Sequence, residues 1–123
     1  MGHVFSCVVD SQPIYYFQAW NLIHSLIGKA DVKAEQIIVN FTPNVDPDLI
    51  REIKQLNCHV RFIEPFGDKK YCNKIAQLDQ DIFHECDGVF LLDLDMIVLA
   101  NIDHLYHPNM ICGKVVLITQ MTP

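Results

Sequence analysis

An apolar stretch that contains two acids constrains this chain more than any other feature of its sequence. The stretch covers residues 89–99 and reads VFLLDLDMIVL, in which only Asp93 and Asp95 are polar. A run of this kind predicts a β-strand that is buried on both faces of a sheet. Burying an unpaired carboxylate is strongly unfavourable, so we expect both acids to lie where the strand emerges or to hold a counter-ion. They are the first candidates for a functional site.

The rest of the sequence alternates between strand-like and helix-like segments. Strands are expected at residues 3–9, 37–41 and 58–63, the last near a sheet edge, and again after the central stretch at 115–119. Helices are expected from Pro13 to Gly28, from Pro47 onward, and over residues 73–86. Their apolar stripes are Ile14, Phe17, Trp20, Ile23 and Ile27; Leu49, Ile50, Ile53 and Leu56; and Ile75, Leu78 and Ile82. Residues 64–71 read as a loop, and residues 100–103 as a turn into a short helical piece that stops at Pro108.

This alternation predicts an α/β fold, with a mostly parallel open sheet of the Rossmann-like kind and helices on both faces. Ligands of such sheets bind beyond the carboxyl ends of the strands, where the strand order reverses. Asp10 follows the first expected strand, while Asp93 and Asp95 lie at the end of the fourth. We therefore expect these acids at one edge of the sheet. Asp10 is equally well explained as a turn former.

Composition narrows the class of protein. The 123 residues suffice for one domain, spanning 1–123, which we expect to be incomplete because the chain stops just after a strand-like run. A net charge of −6 without a large basic cluster argues against nucleic-acid binding. We expect no membrane segment and no signal peptide, since no window approaches about 20 apolar residues and the N-terminus lacks a basic start. An odd set of cysteines without a C-x-x-C pair favours reduced thiols and a cytoplasmic location: Cys7, Cys58, Cys72, Cys86 and Cys112.

The spacing of the two central acids suits a cation. Residues two apart on a strand point to the same side, with Cα atoms about 6.6 Å apart. Mg²⁺ and Mn²⁺ prefer carboxylate oxygens and commonly bind substrate phosphates at the same time. The simpler alternative is that Asp93 and Asp95 cap the next element or pair with Lys74. His104 and His107 could complete a metal site, although a surface turn explains them better.

At this point the sequence resembles a known family. Residues 91–106, LLDLDMIVLANIDHLY, look like the D-x-D segment of nucleotide-sugar glycosyltransferases with the GT-A fold, and are most similar to the glycogenin-like group. The sequence Asn73-Lys74-Ile75 resembles an N-K-hydrophobic feature common in these enzymes. A first strand that ends at Asp10 and is followed by Tyr15 and Tyr16 fits the place where the family holds the base and ribose. Only the D-x-D segment is specific in sequence.

The resemblance implies a glycosyltransferase that moves a sugar from a nucleoside diphosphate sugar, most naturally a UDP-sugar, to an acceptor hydroxyl with Mn²⁺ or Mg²⁺. Asp95 would ligate the metal, and Asp93 would contact the sugar or ribose and could also ligate the metal. Lys74 would approach the diphosphate or the donor sugar. Asp10 and one of Tyr15 or Tyr16 would line the nucleoside pocket. The resemblance assigns no catalytic nucleophile or base, and it places a further metal ligand and the acceptor site beyond this chain.

Two other functions compete with this interpretation. Phosphotransferases similar to haloacid dehalogenases also end an apolar strand in D-x-D, with the first Asp as nucleophile. They carry the motif near the start of the fold and have Thr or Val where this chain has Ile97. The second alternative is a non-catalytic module that binds a nucleotide or a partner and uses the acids structurally.

Overall fold

A computed structural model describes residues 3–64 and 88–105. Its helices and strands are β1 (His3–Val9), α1 (Pro13–Gly28), β2 (Ile37–Phe41), α2 (Pro47–Gln55), β3 (His59–Phe62) and β4 (Gly88–Leu91). Short 3₁₀ turns cover Ala34–Gln36 and Asp103–Leu105. Most of the predicted loop at 64–71, the predicted helix at 73–86 and the predicted strand at 115–119 fall outside the described residues.

The four strands form one parallel sheet in the order β3-β2-β1-β4. In this register Phe5 of β1 pairs with Ile37 of β2 on one side and with Phe90 of β4 on the other. The chain moves from β1 to β2 and β3 in one direction and returns to β4 on the opposite side of β1. This arrangement confirms the predicted α/β class with an open, parallel, Rossmann-like sheet. Within the described sheet, β3 lies at an edge, as predicted.

Both described helices cover the same face of the sheet. Alternate residues of β1 and β2 pack there with the inner sides of α1 and α2: Phe5, Cys7, Val9, Ile37, Val39 and Phe41 against Leu22, Ile23, Leu26, Leu49 and Ile53. The opposite face of the two central strands is equally inaccessible, since Val4, Ile38 and Asn40 are buried. The buried amide of Asn40 is satisfied by donating to the Ser6 hydroxyl at 3.0 Å and to the Cys7 carbonyl at 2.8 Å.

Helix α1 has the predicted bounds, but its predicted apolar stripe is confirmed only at Ile23 and Ile27 and is wrong at its first three positions. Ile14 and Phe17 are 53% and 65% exposed, whereas Ile23 is fully buried. The reason is geometric, because three residues cover about 300° of a helix and each step falls about 60° short of a turn. A stripe that advances by threes from Ile14 has therefore moved halfway round the helix when it reaches Ile23. The buried face consists of Ala19, Leu22, Ile23, Ser25 and Leu26.

Helix α2 follows its prediction closely. Asp46 is the N-cap, and its side chain accepts a hydrogen bond from the Asp48 amide at 2.9 Å. Pro47 occupies the first helical position, where its missing N–H costs nothing. The predicted stripe is confirmed by the burial of Leu49 and Ile53. Its other two members, Ile50 and Leu56, pack partly buried against the same core.

The prediction of one long buried strand over residues 89–99 is wrong. β4 ends at Leu91, its residues are only half-buried, and Leu91 itself is exposed. The Leu92 amide still donates to the Ser6 carbonyl at 2.9 Å, but the chain then turns at Leu94–Asp95. Farther on, the Val98 amide donates to the Ser25 hydroxyl at 3.0 Å. Of the apolar residues after Asp95, only Val98 is buried beside α1, whereas Met96, Ile97 and Leu99 are exposed.

Candidate functional site

The structure places the three predicted acids after the carboxyl ends of two neighbouring strands. Asp10 follows β1 directly, and Asp93 and Asp95 follow β4 within four residues. Because β1 and β4 are paired and parallel, their carboxyl ends lie at one edge of the sheet. The strand order reverses between these two strands, and ligands of open α/β sheets bind at that position.

A buried hydroxyl from the neighbouring strand holds the carboxylate of Asp10. Thr42 follows β2 directly, is 3% exposed, and donates its hydroxyl to Asp10 Oδ1 at 2.8 Å. The Ser11 amide donates to the same oxygen at 2.7 Å. The Thr42 amide donates to the Val9 carbonyl at 3.1 Å, which ties the ends of β1 and β2 together. Within the described part of the chain, Oδ2 of Asp10 receives no hydrogen bond and is an available acceptor.

Tyr15 and Tyr16 lie in the first turn of α1, five and six residues after Asp10. Both are half-buried and pack against the core. The Tyr16 hydroxyl accepts a hydrogen bond from the Asp46 amide at 3.0 Å, so it links the start of α1 to the N-cap of α2. Among residues 3–64 and 88–105, the Tyr15 hydroxyl has no such partner. Of the two tyrosines, Tyr15 is the one left for a ligand.

The two D-x-D carboxylates lie in an exposed turn between two anchored backbone positions. We call residues 93–97 the D-x-D turn; Leu92 precedes it with its bond to Ser6, and Val98 follows it with its bond to Ser25. Asp93 and Asp95 are both exposed. The cost of burying two charges in a strand is therefore avoided, because the chain leaves the sheet before the first acid.

The donor atoms of the D-x-D turn fit a hard divalent cation. Carboxylate oxygens are what Mg²⁺ and Mn²⁺ prefer, and Mg²⁺ is usually held by one or two protein carboxylates together with substrate phosphates. Across the described ranges there is no cluster of three or more His, Cys, Asp or Glu side chains that could hold a metal. A cation bound here would accordingly take its remaining ligands from phosphate, water or residues outside those ranges.

His104 is not brought to the acids. It lies beside Asp103, whose carboxylate contacts the His3 ring at 3.2 Å at the opposite, amino end of β1. A strand of this length separates its two ends by about 20 Å. The structure thus supports the interpretation of His104 as a surface residue of the turn. Lys74 and His107 lie outside the described residues.

Two residues that hold parts of the site in place, Thr42 and Ser25, were not predicted from the sequence. Thr42 directly follows the expected strand at residues 37–41, and the sequence pattern assigned it no role of its own. The rule that selected Asp10 could have found it, because both residues directly follow neighbouring strands. Ser25 gave no signal, since a single serine in an apolar helix does not indicate a partner 73 residues away.

The described cysteines take no part in the site. Cys7 and Cys58 are free and buried. Burial, with a smaller contribution from the charge of Cys58, raises the pKa of Cys7 to about 12. Burial, with a smaller contribution from Glu35, raises the pKa of Cys58 to about 11. Both thiols are protonated at neutral pH, and β2 separates their strands by about 10 Å, which is too far for a disulfide.

Comparison with known proteins assigns this chain to no family. No protein-family model and no curated protein matches the sequence. None of the helices in the described ranges has the length and apolar character needed to cross a membrane. The fold and the acidic edge together define an α/β domain of the open Rossmann-like class with a candidate ligand site at its switch point.

Proposed function

We propose that this chain is the nucleotide-binding part of a metal-dependent glycosyltransferase that uses a nucleoside diphosphate sugar, most naturally a UDP-sugar, and an acceptor hydroxyl. The observation that carries the proposal is the position of Asp10 and the D-x-D turn on either side of the strand-order reversal. The resemblance of residues 91–106 to the D-x-D segment of GT-A glycosyltransferases supports it.

The D-x-D turn supplies the metal-binding half of the proposed site. Asp95, with Asp93, offers exposed carboxylate oxygens to Mn²⁺ or Mg²⁺. The cation would neutralise charge that develops on the departing diphosphate. In the wider proposal Asp93 also contacts the sugar or ribose, and Lys74 approaches the diphosphate.

The end of β1 supplies the nucleoside-binding half. With Oδ1 of Asp10 already bonded to Thr42 and Ser11, Oδ2 is the atom that would accept a hydrogen bond from a base N–H or a ribose hydroxyl. Tyr15, in the adjoining first turn of α1, would contact the nucleoside with its ring. The buried, unpaired thiols of Cys7 and Cys58 support a reducing compartment, which for this chain we propose to be the cytoplasm.

Thermal unfolding with UDP, with Mn²⁺ and with both together tests the proposal. We expect stabilisation that requires both additions, of about 2.7 kcal/mol when the nucleotide is at a hundred times its Kd. Asp95→Asn keeps the shape of the side chain and should abolish the effect. Glu35→Gln is the matched control, because Glu35 is an exposed carboxylate in the 3₁₀ turn at the amino end of β2.

The alternatives give different results in the same experiment. Stabilisation by UDP without a metal requirement would favour a non-catalytic nucleotide-binding module. Covalent labelling of Asp93 by a phosphate analogue would favour the phosphotransferase, although three strands precede β4 and the motif is therefore late in the fold. If neither nucleotide nor metal shifts the transition, the glycosyltransferase proposal is wrong.

A further inference from the structure

We propose that Ser25 of helix α1 is a positioning residue for the D-x-D turn. This inference rests on the proposed function, because it assigns the turn a metal to hold. The residue does not contact the site and would act through the backbone of Val98. Its role would be to set where the carboxylate of Asp95 lies when the cation binds.

The hydrogen bonds of the Ser25 hydroxyl define this role. Ser25 is 6% exposed, and its hydroxyl donates to the Leu22 carbonyl at 2.7 Å. Since a hydroxyl has one hydrogen, its oxygen is left to act as an acceptor. It accepts from the Val98 amide at 3.0 Å, and Val98 is itself buried. Without the hydroxyl, a buried backbone N–H would lose its partner, a situation that folded proteins rarely tolerate.

This bond closes a short loop around the two acids. Only the five residues of the D-x-D turn separate Leu92, bonded to Ser6 of β1, from Val98, bonded to Ser25. A loop this short between two fixed backbone points has few conformations open to it. Asp95 lies three residues before the second anchor, so a shift of Val98 would move Asp95 directly.

Helix α1 also fixes the chain beyond the turn. The side-chain amide of Asn101 donates to the Ala30 carbonyl, just after α1, at 3.1 Å, and its oxygen accepts from the Asp103 amide at 2.9 Å. The same helix carries Tyr15 in its first turn, at the nucleoside half of the proposed site. The two halves would therefore keep a constant separation, because one rigid element positions both of them.

Amide hydrogen exchange in the ligand-free protein tests the anchor itself. We expect the Val98 amide to exchange at least about tenfold more slowly than those of Ile97 and Leu99. Ser25→Ala should remove most of that protection, and Ser25→Thr, which keeps a hydroxyl, should restore it. Alanine is the best helix former, so the first variant should not unfold α1. An unprotected Val98 amide in the wild-type protein would overturn the proposal.

Mn²⁺ affinity in the presence of UDP, measured by electron paramagnetic resonance, tests the positioning role. We expect Ser25→Ala to weaken Mn²⁺ binding about tenfold, and Ser25→Thr to recover it. Ile53→Val, a substitution at a buried position of α2, is a control that lowers stability at a distance from the D-x-D turn. It should leave the Mn²⁺ affinity unchanged. If Ser25→Ala and Ile53→Val lose the same amount of Mn²⁺ affinity, Ser25 contributes only to general stability and the inference is overturned. If the wild-type protein binds no Mn²⁺ with UDP, the proposed function fails together with the positioning role, whereas the exchange result still decides whether Ser25 orders the turn.

Discussion

The hydroxyl of Thr42 donates to Oδ1 of Asp10 across 2.8 Å, and this bond joins the residue after β2 to the residue after β1. It is formed by a buried donor and a half-buried carboxylate, where solvent weakens it little. Among the described residues Oδ2 of that side chain receives no hydrogen bond, so the orientation of Asp10 is set before any ligand arrives.

Removing this hydroxyl should therefore weaken both the fold and the site. We expect Thr42→Val, which keeps the shape of the side chain, to lower the free energy of unfolding by about 1.5–3 kcal/mol, as for a lost hydrogen bond to a charged group. UDP affinity measured by titration calorimetry should fall with it. Thr42→Ser retains the hydroxyl and should preserve UDP affinity. An unchanged affinity in Thr42→Val would show that Asp10 needs no such support.

Asp10→Asn changes one atom of the proposed nucleoside site. Asparagine can keep Oδ1 as the acceptor for Thr42 and Ser11, while its NH₂ group replaces the free oxygen by a donor. We expect the free energy of unfolding to change by less than about 1 kcal/mol and UDP affinity to fall at least about tenfold. Urea unfolding and calorimetric titration of the same sample separate the two effects. Full UDP affinity in this variant would make Asp10 a turn residue only.

The two faces of α1 should differ strongly in their tolerance to truncation. Phe17 is exposed, so Phe17→Ala should change the free energy of unfolding by less than about 0.5 kcal/mol. Leu22 is completely buried, and Leu22→Ala should cost about 2–5 kcal/mol through lost burial and the cavity it leaves. Urea unfolding of the pair measures both values. A costly Phe17→Ala would indicate that the outer face of α1 is covered in solution.

The buried thiols should make the protein less stable at alkaline pH. In the unfolded chain a thiol loses its proton near its ordinary pKa of about 9, whereas in the folded protein the pKa of Cys7 is raised to about 12. Between these values the folded state binds more protons, so stability is full below about pH 9 and falls as the pH rises toward 12. The slope contributed by Cys7 approaches about 1.4 kcal/mol per pH unit.

Urea unfolding between pH 8 and 11 measures this dependence. Cys7→Ala should be less stable at neutral pH because of the cavity, yet its stability should fall less steeply above pH 9. Tyrosine and lysine titration is common to both proteins and cancels in the comparison. Identical slopes for the two proteins would contradict the raised pKa.

The sequence was sufficient to predict those helices and strands whose ends are determined by neighbouring residues. The prolines at residues 13 and 47 gave accurate starts for both described helices, because a proline at the first helical position acts through the local backbone. The parallel order followed from the alternation of strands and helices. Asp10 and the D-x-D acids were expected at one edge because each follows a parallel strand, and the structure adds that the strand order reverses between those strands.

The errors occurred where tertiary contacts decide the outcome. Residues 89–99 were all apolar apart from the two acids, and composition does not distinguish one continuous buried strand from a short strand that runs into an exposed turn. The hydrogen bond from the Val98 amide to the Ser25 hydroxyl fixes where the chain returns to the core after the turn. It joins positions far apart in sequence, so the local pattern does not reveal it. The first part of the stripe on α1 was misassigned for a different reason. Its members are three residues apart, and each such step moves about 60° round the helix, which the prediction did not take into account. The contact between Thr42 and Asp10 depends on strand register and is not visible in either segment alone.

The place of β1 between its two partners also has a consequence for the order of folding. β1 pairs with β2 across about 32 residues of chain and with β4 across about 85. Closing the longer loop costs about 1 kcal/mol more in chain entropy, so we expect β1 and β2 to associate first and β4 to dock later. Pulse-labelling hydrogen exchange during refolding should show β2 amides protected before those of β4; simultaneous protection would contradict this order. The proposed nucleoside half of the edge would then form before the proposed metal half, and we expect nucleotide binding during refolding to precede assembly of the proposed cation site.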